Sequence, residues 1–326
     1  MDRKNKQIIF LVLKYFLSIT ILVPIIYLIL KNKETILSLK DINIFGVLLL
    51  LLSSILAYLP TSLEFNISLK LFNIPISYIE SFKLSSLNSM YNYFIPIRGG
   101  SFARAYLLKK RYGLDYSKYL SLLGGLYFIG IFVSSLIALL TLNILLLFLH
   151  MWYCKLYFLS LFLFLTLIVL FFLLNKIKTI QSQNHRNKVI KALIKIYVGL
   201  SLFKKNPKVI VKISLVQIIL VLFLTLRLYI SFILLDISVS FIHLLVVQSL
   251  VTFSTILSIT PGNIGIREGI VGLLSNLFGI SLPGAFMAAA LDRVVSMCVV
   301  FLFGFISHLN ILHQDQKEHN MKFTKH

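Results

Sequence analysis

The sequence predicts an all-α polytopic membrane protein: six full transmembrane helices plus two re-entrant helical hairpins, arranged as an inverted repeat. Three observations carry this. The first is composition. Of 326 residues, 58% are hydrophobic and 13% charged, against roughly 25% charged in an ordinary soluble domain. That leaves too little polar surface to cover a water-soluble globule, which excludes a soluble enzyme, a disordered regulator and a disulfide-rich secreted domain. The second is the length of the apolar runs, and the third is a pair of apolar segments interrupted by proline and glycine.

A hydrocarbon core takes roughly 20 residues of apolar helix. Six segments meet that length: Ile8–Leu30, Ile42–Leu59, Tyr119–Leu140, Leu156–Leu174, Ile213–Leu235 and Phe286–Leu309. The first follows Arg3, Lys4 and Lys6 in the manner of a signal peptide. Its run is too long for an h-region and Leu30-Lys31-Asn32-Lys33 offers no small-residue cleavage site, so it reads as a retained span. The two broken segments are Phe82–Phe94 and Phe102–Tyr112 around Ile95–Ser101, and Phe241–Ile259 and Ile266–Phe278 around Thr260–Gly265. Proline and glycine end helices, and open backbone at membrane depth survives only where protein or a wet cavity receives it. Each broken segment therefore reads as a hairpin that returns to its own side.

Charge sets the orientation. Lys and Arg number 32 against 11 Asp and Glu, a formal net charge of +21. In a soluble protein this would point to nucleic acid. Here the basic residues cluster between apolar runs, as the positive-inside rule requires, and no nucleic-acid partner is expected. The link Lys176–Lys212 holds ten Lys/Arg and no acid, and the stretch Arg98–Lys118 is also basic, so both are expected in the cytoplasm. The links Thr141–Cys154 and Asp236–Ser240 hold no Lys or Arg and are expected outside. The N- and C-termini are then cytoplasmic and the protein is a multi-pass cell-membrane protein. Lys31, Lys33 and Lys40 sit against this scheme, in a link it places outside. The stretch Ser62–Ile79, flanked by Glu64, Glu80 and Lys83, reads as amphipathic and lying at the cytoplasmic face.

The halves 8–141 and 155–309 share an order of span, span, hairpin, span, within one domain over 1–312, with a polar tail over 313–326. Pro96 to Asp115 is 19 residues and Pro261 to Ser281 is 20, and each break carries Pro, two Gly and Arg. Inverted repeats with broken helices meeting near the midplane are a transporter architecture.

The residues able to carry chemistry gather at the breaks. Pro261-Gly262-Asn263-Ile264-Gly265-Ile266-Arg267-Glu268-Gly269 stops one helix and starts another. Gly262 and Gly265 permit tight backbone with inward N–H groups, and the new helix presents its positive end. Arg267 adds a planar donor fork suited to phosphate. The first break offers Asn88, Tyr91 and Asn92 to satisfy broken backbone or line a polar cavity, and Arg98, Gly99, Gly100 and Arg104 for an anion, the alternative being that Arg98 and Arg104 only mark the cytoplasmic boundary. In the last span, Asp292 and Arg293 are sequence neighbours and so face different partners. Pairing of Asp292 with Arg227, and of Glu268 with Arg293 or Arg267, would neutralise the set. Cys154 and Cys298 stand apart, and His150, His185 and His243 are isolated, so neither metal nor cofactor is expected. No Ser/His/Asp set, P-loop or Cys/His cluster is present, so no enzyme is expected.

The string Asn88…Pro96-Ile97-Arg98-Gly99-Gly100…Arg104, then Pro261–Gly269, then Asp292-Arg293, resembles the lysylphosphatidylglycerol synthase transmembrane (flippase-like) family over nearly the whole chain. The family's first hairpin usually has Gly-Glu before its Arg; here Gly100 is followed by Ser101. The resemblance implies the membrane half alone, without an aminoacyl-transferase domain. It implies movement of an anionic phospholipid or lipid-linked phosphate headgroup between leaflets, with membrane lipids as partners. Arg98, Arg267 and Arg293 would contact the headgroup. The alternative is a non-transporting accessory subunit serving a separate lipid-modifying transferase.

Overall fold

The structure is a computed structural model, and it describes residues 43–95, 98–149, 154–176, 201–255 and 260–323. Every regular element among the described residues is helical. They are α1 (Ile44–Leu56), α2 (Tyr58–Leu69), α3 (Tyr78–Phe94), α4 (Gly99–Tyr112), α5 (Tyr116–Leu149), α6 (Cys154–Lys176), α7 (Pro207–Ile233), α8 (Phe241–Val251), α9 (Ile266–Asn276) and α10 (Leu282–Phe323). The expected span Ile8–Leu30, the link after it, Pro96 and Ile97, and most of the basic link before α7 lie outside the described residues.

Four helices among the described residues are long and apolar enough to cross a membrane: Ile44–Phe72, Tyr116–Phe148, Pro207–Ile233 and Leu282–Gln314. Shorter apolar helices run over Lys155–Leu167 and Phe241–Thr255. The chain is a membrane protein with several apolar helices.

The second expected span needs correction. α1 begins at a side-chain cap, with Asn43 Oδ1 accepting from the Phe45 N–H at 2.9 Å. At Ala57 the backbone stays right-handed helical (φ −65°, ψ −19°), so α2 continues α1. Pro60 falls in the first turn of α2, where a missing N–H costs little. The run therefore extends through Ser62–Phe72 to 29 residues, and the stretch expected to be amphipathic over Ser62–Ile79 largely continues this helix, which is long and apolar enough to cross a membrane. It ends at Asn73, whose left-handed φ of 56° is one asparagine tolerates. Ser77 then caps α3, its Oγ accepting from the Glu80 N–H at 3.2 Å. The last helix also outruns its expected end, continuing through the tail to Phe323.

Both breaks occur where proline and glycine place them. α3 ends at Phe94 and α4 starts at Gly99, with Arg98 at φ 55° between them. α8 tightens into 3₁₀ over Thr252–Thr255, and a second 3₁₀ turn over Pro261–Asn263 precedes α9.

The packing has a cross-wise order. α3, the first arm of the first broken segment, packs along α10, the last helix of the chain, while α8 packs along α5. α2 lies against α7 at the centre, α2 also touches α3, and α7 also touches α8. The turn Pro261–Asn263 rests on α3. The two breaks are thereby brought to one place in the interior.

Candidate functional site

Five ionised side chains from three helices meet at this place. On α10, Asp292 is fully buried. Its two oxygens take a bidentate grip from Arg227 on α7, with Nε–Oδ1 at 2.5 Å and Nη2–Oδ2 at 3.1 Å. Arg267 on α9 brings Nη1 to 2.9 Å from Asp292 Oδ2. One residue along α10, Arg293 faces a different partner. Its Nε meets Glu268 Oε1 at 2.6 Å, and its Nη1 donates to the Gly262 carbonyl at 2.8 Å and to the Tyr93 hydroxyl at 3.1 Å. Adjacent residues on a helix point about 100° apart, which is why 267/268 and 292/293 form two clusters rather than one.

The expected pairing of Asp292 with Arg227, and of Glu268 with Arg293, is what the structure holds. Arg267 joins Asp292 rather than Glu268. Three guanidiniums face two carboxylates, leaving one positive charge in excess. The excess rests on Arg267. Its approach to Asp292 is off the N–H direction, and neither terminal nitrogen, both buried, makes a hydrogen bond among the described residues.

The second break uses its polar groups differently from expectation. The Gly265 N–H, expected to point free into the site, donates to Glu268 Oε2 at 2.7 Å. Glu268 thus caps α9 while it holds Arg293. Gly262 contributes its carbonyl to Arg293. Its positive φ of 59° suits glycine, and the Tyr93 ring lies where a Cβ would project. Pro261 is buried and opens the turn. Asn263 Nδ2 ties the turn back to Ser254, bonding its carbonyl at 3.2 Å and its hydroxyl at 3.1 Å.

At the first break, Asn92 Oδ1 accepts from the Gly100 N–H at 3.0 Å, and Ser101 Oγ donates to Asn88 Oδ1 at 3.1 Å. The two asparagines of α3 thus satisfy the start of α4. Gly99 and Gly100 are buried, and a Cβ on Gly100 would run into the Asn88 carbonyl, so the second glycine sets how closely α4 approaches α3. Tyr91 corrects an expectation. It lines neither cavity described below, and its hydroxyl meets His308 Nδ1 at 2.9 Å. Tyr93, two residues on, is the aromatic that faces the site.

Two adjoining cavities open onto these charges. The first, of about 380 Å³, is walled by Arg98, Asn92, Tyr93, Arg227, Arg267 and Arg293, with Tyr127 and serine and threonine hydroxyls. The Arg98 guanidinium lies 4.1 Å over the Tyr127 ring. The second, of about 420 Å³, shares Arg227, Arg267 and Arg293 and adds Asn88, Arg104, Gln217, Gln248 and Glu64. Arg104 is buried, donates to the Tyr119 hydroxyl at 2.7 Å and lies 4.1 Å over the Phe65 ring. Glu64, Gln217 and Gln248 are further residues that sequence reasoning missed. Each is a polar residue inside an apolar helical run, which is the signal that could have found them. Among the described residues no group of His, Cys, Asp and Glu has the makeup of a metal site.

Desolvated guanidinium donors of this kind have the chemistry to hold an anion, while Asp292 and Glu268 are occupied by arginines. Among curated proteins none matches this chain. Residues 15–304 match the family described as Lysylphosphatidylglycerol synthase TM region. That match spans both broken segments and all five paired charges, and the chain belongs to the lysylphosphatidylglycerol synthase transmembrane-region family.

Proposed function

We propose that the protein translocates an anionic phospholipid or lipid-linked phosphate headgroup between the leaflets of the cell membrane, and that it is not itself an enzyme. The observation that carries this reading is Arg267: a guanidinium beside a cavity, whose buried terminal nitrogens make no hydrogen bond among the described residues. Unsatisfied buried donors cost free energy, and phosphate oxygens entering the cavity would supply the acceptors. A charged headgroup cannot cross about 30 Å of hydrocarbon unaided, because it loses its hydration. Two broken segments meeting in the interior shorten the dry path, while acyl tails stay in lipid. The cross-wise packing of α3 on α10 and α8 on α5 supports an inverted repeat with two re-entrant hairpins.

The test is leaflet exchange of labelled phosphatidylglycerol in proteoliposomes, without aminoacyl-tRNA or a nucleotide-sugar donor. The expected result is exchange that Arg267→Ala abolishes and Lys204→Ala leaves intact. Production of a modified lipid would overturn the reading. Absence of exchange together with tight binding of a soluble transferase would favour an accessory subunit.

A further inference from the structure

The pairing that satisfies Asp292 and Glu268 leaves one acid of the site untouched. Glu64 stands on α2, within the apolar run Ile44–Phe72, and lines the second cavity. It has neither hydrogen bond nor ion pair among the described residues. The Arg104 guanidinium lines the same cavity, itself held by the Tyr119 hydroxyl and the Phe65 ring. On the shared wall stands Arg267 with its unmet donors. A second unmet group lines the same cavity: Gln248, whose buried Oε1 accepts no hydrogen bond among the described residues. A protonated carboxyl has an O–H to offer such an acceptor, and an ionised one has none.

We propose that Glu64 is a proton-binding site coupled to the anion site at Arg267. The carboxylate takes one proton from water as a phosphate headgroup docks and returns it to water as the headgroup leaves. The physical cause is like-charge repulsion. A phosphodiester in the cavity and an ionised Glu64 repel each other through a low-dielectric space that salt does not screen. A proton on Glu64 relieves that repulsion, and by linkage the proton strengthens anion binding by the same factor. The charged and titratable groups around Glu64 are Arg104 from α4, Tyr119 and Tyr127 from α5, Arg227 from α7, and Arg267 and Arg293 across the cavity. α3 contributes Asn88, which does not titrate, and among the described residues Glu64 is the one carboxyl lining this cavity. The coupled transport would then be a cotransport of headgroup and proton, with the proton gradient able to drive it.

This inference rests on the translocator reading. Its test is calorimetric titration of the purified protein with dioctanoylphosphatidylglycerol, whose phosphodiester keeps one charge from about pH 5.5 to 8. Paired buffers of different ionisation heat report proton uptake. Uptake should approach one proton per lipid at the alkaline end, with affinity falling about tenfold per pH unit there. In Glu64→Gln, a neutral near-isostere, uptake should vanish and affinity should stay flat at the parent's acid-side value. Glu64→Asp should restore uptake. Binding by the parent without uptake, or the same uptake in Glu64→Gln, overturns the coupling and leaves the translocator reading standing. No binding by the parent at any pH overturns both.

Discussion

Arg227 and Arg267 share one acid, Asp292, and the structure gives them unequal roles. Arg227 grips both carboxylate oxygens in hydrogen-bond geometry, whereas Arg267 approaches one oxygen off the N–H line. Removing Arg227 therefore leaves a fully buried carboxylate with a single poorly aligned partner. Arg227→Ala should cost about 2–3 kcal/mol, read as a lower melting temperature in detergent. Arg267→Ala removes the unmet donors and leaves the Arg227–Asp292 grip in place, so it should melt near the parent while losing headgroup exchange. Equal, mild effects of both substitutions on melting and exchange would mean that these charges have no special role. The pairing of Asp292 with Arg227 was legible from the sequence, because an acid and a base at similar depth in two spans must find each other. Tyr91 and Glu64 were not. Whether Tyr91 or Tyr93 faces the site depends on the rotation of α3 about its axis, which a mixed polar and apolar stretch does not fix. Glu64 was hidden because Pro60, four residues earlier, reads as a helix end, and in the structure it sits harmlessly in a first turn.

At the scale of elements, the close approach of α4 to α3 depends on a single missing Cβ. On Gly100 an added methyl would meet the Asn88 carbonyl, a backbone atom that cannot rotate away. On Gly269, inside α9, the same methyl meets nothing within 4 Å. The two substitutions should therefore have opposite signs. Gly100→Ala should destabilise by about 1–3 kcal/mol through overpacking and weaken the Asn92 cap. Gly269→Ala should be neutral or stabilising by up to about 1 kcal/mol, from helix propensity alone. Melting of the two purified variants against the parent checks both; a milder effect at Gly100 than at Gly269 would contradict the packing described. A second tie holds the same broken segment at its far end. Arg111 donates to Glu80 at 3.2 Å, to Gln314 at 2.8 Å and to the Ile311 carbonyl at 3.1 Å, fastening α4 to α3 and to α10. The existence of both breaks was legible because proline and glycine act locally. Their meeting was not, since it depends on how α3 lies along α10, a contact between the two halves that no local pattern encodes.

For the whole molecule, the question is whether each broken segment returns to the side it came from. Positive charge argues that it does. The turn after α4 follows Lys109, Lys110 and Arg111, and the turn before α7 carries Lys204 and Lys205, whereas Asp236–Ser240 carries no Lys or Arg. If the first segment is re-entrant, Asn73 before α3 and Asp115 after α4 lie on one face of the membrane, and both are exposed. If the second is re-entrant, Ser238 before α8 and Ser281 after α9 share the other face, and both are also exposed. Single cysteines at these four positions, in a background with Cys154 and Cys298 replaced by serine, separate the possibilities. In intact cells an impermeant thiol reagent should label Ser238→Cys and Ser281→Cys. It should reach Asn73→Cys, Asp115→Cys and a control at Lys205→Cys only after the membrane is permeabilised. A segment that crosses fully would instead split its pair, one cysteine labelled and its mate protected. Splitting of both pairs would remove the inverted repeat. With it would go the reason for the two breaks to reach the interior from opposite faces. Matched labelling within each pair, with the pairs on opposite faces, would leave Arg267 and Glu64 at the point where the two approaches meet.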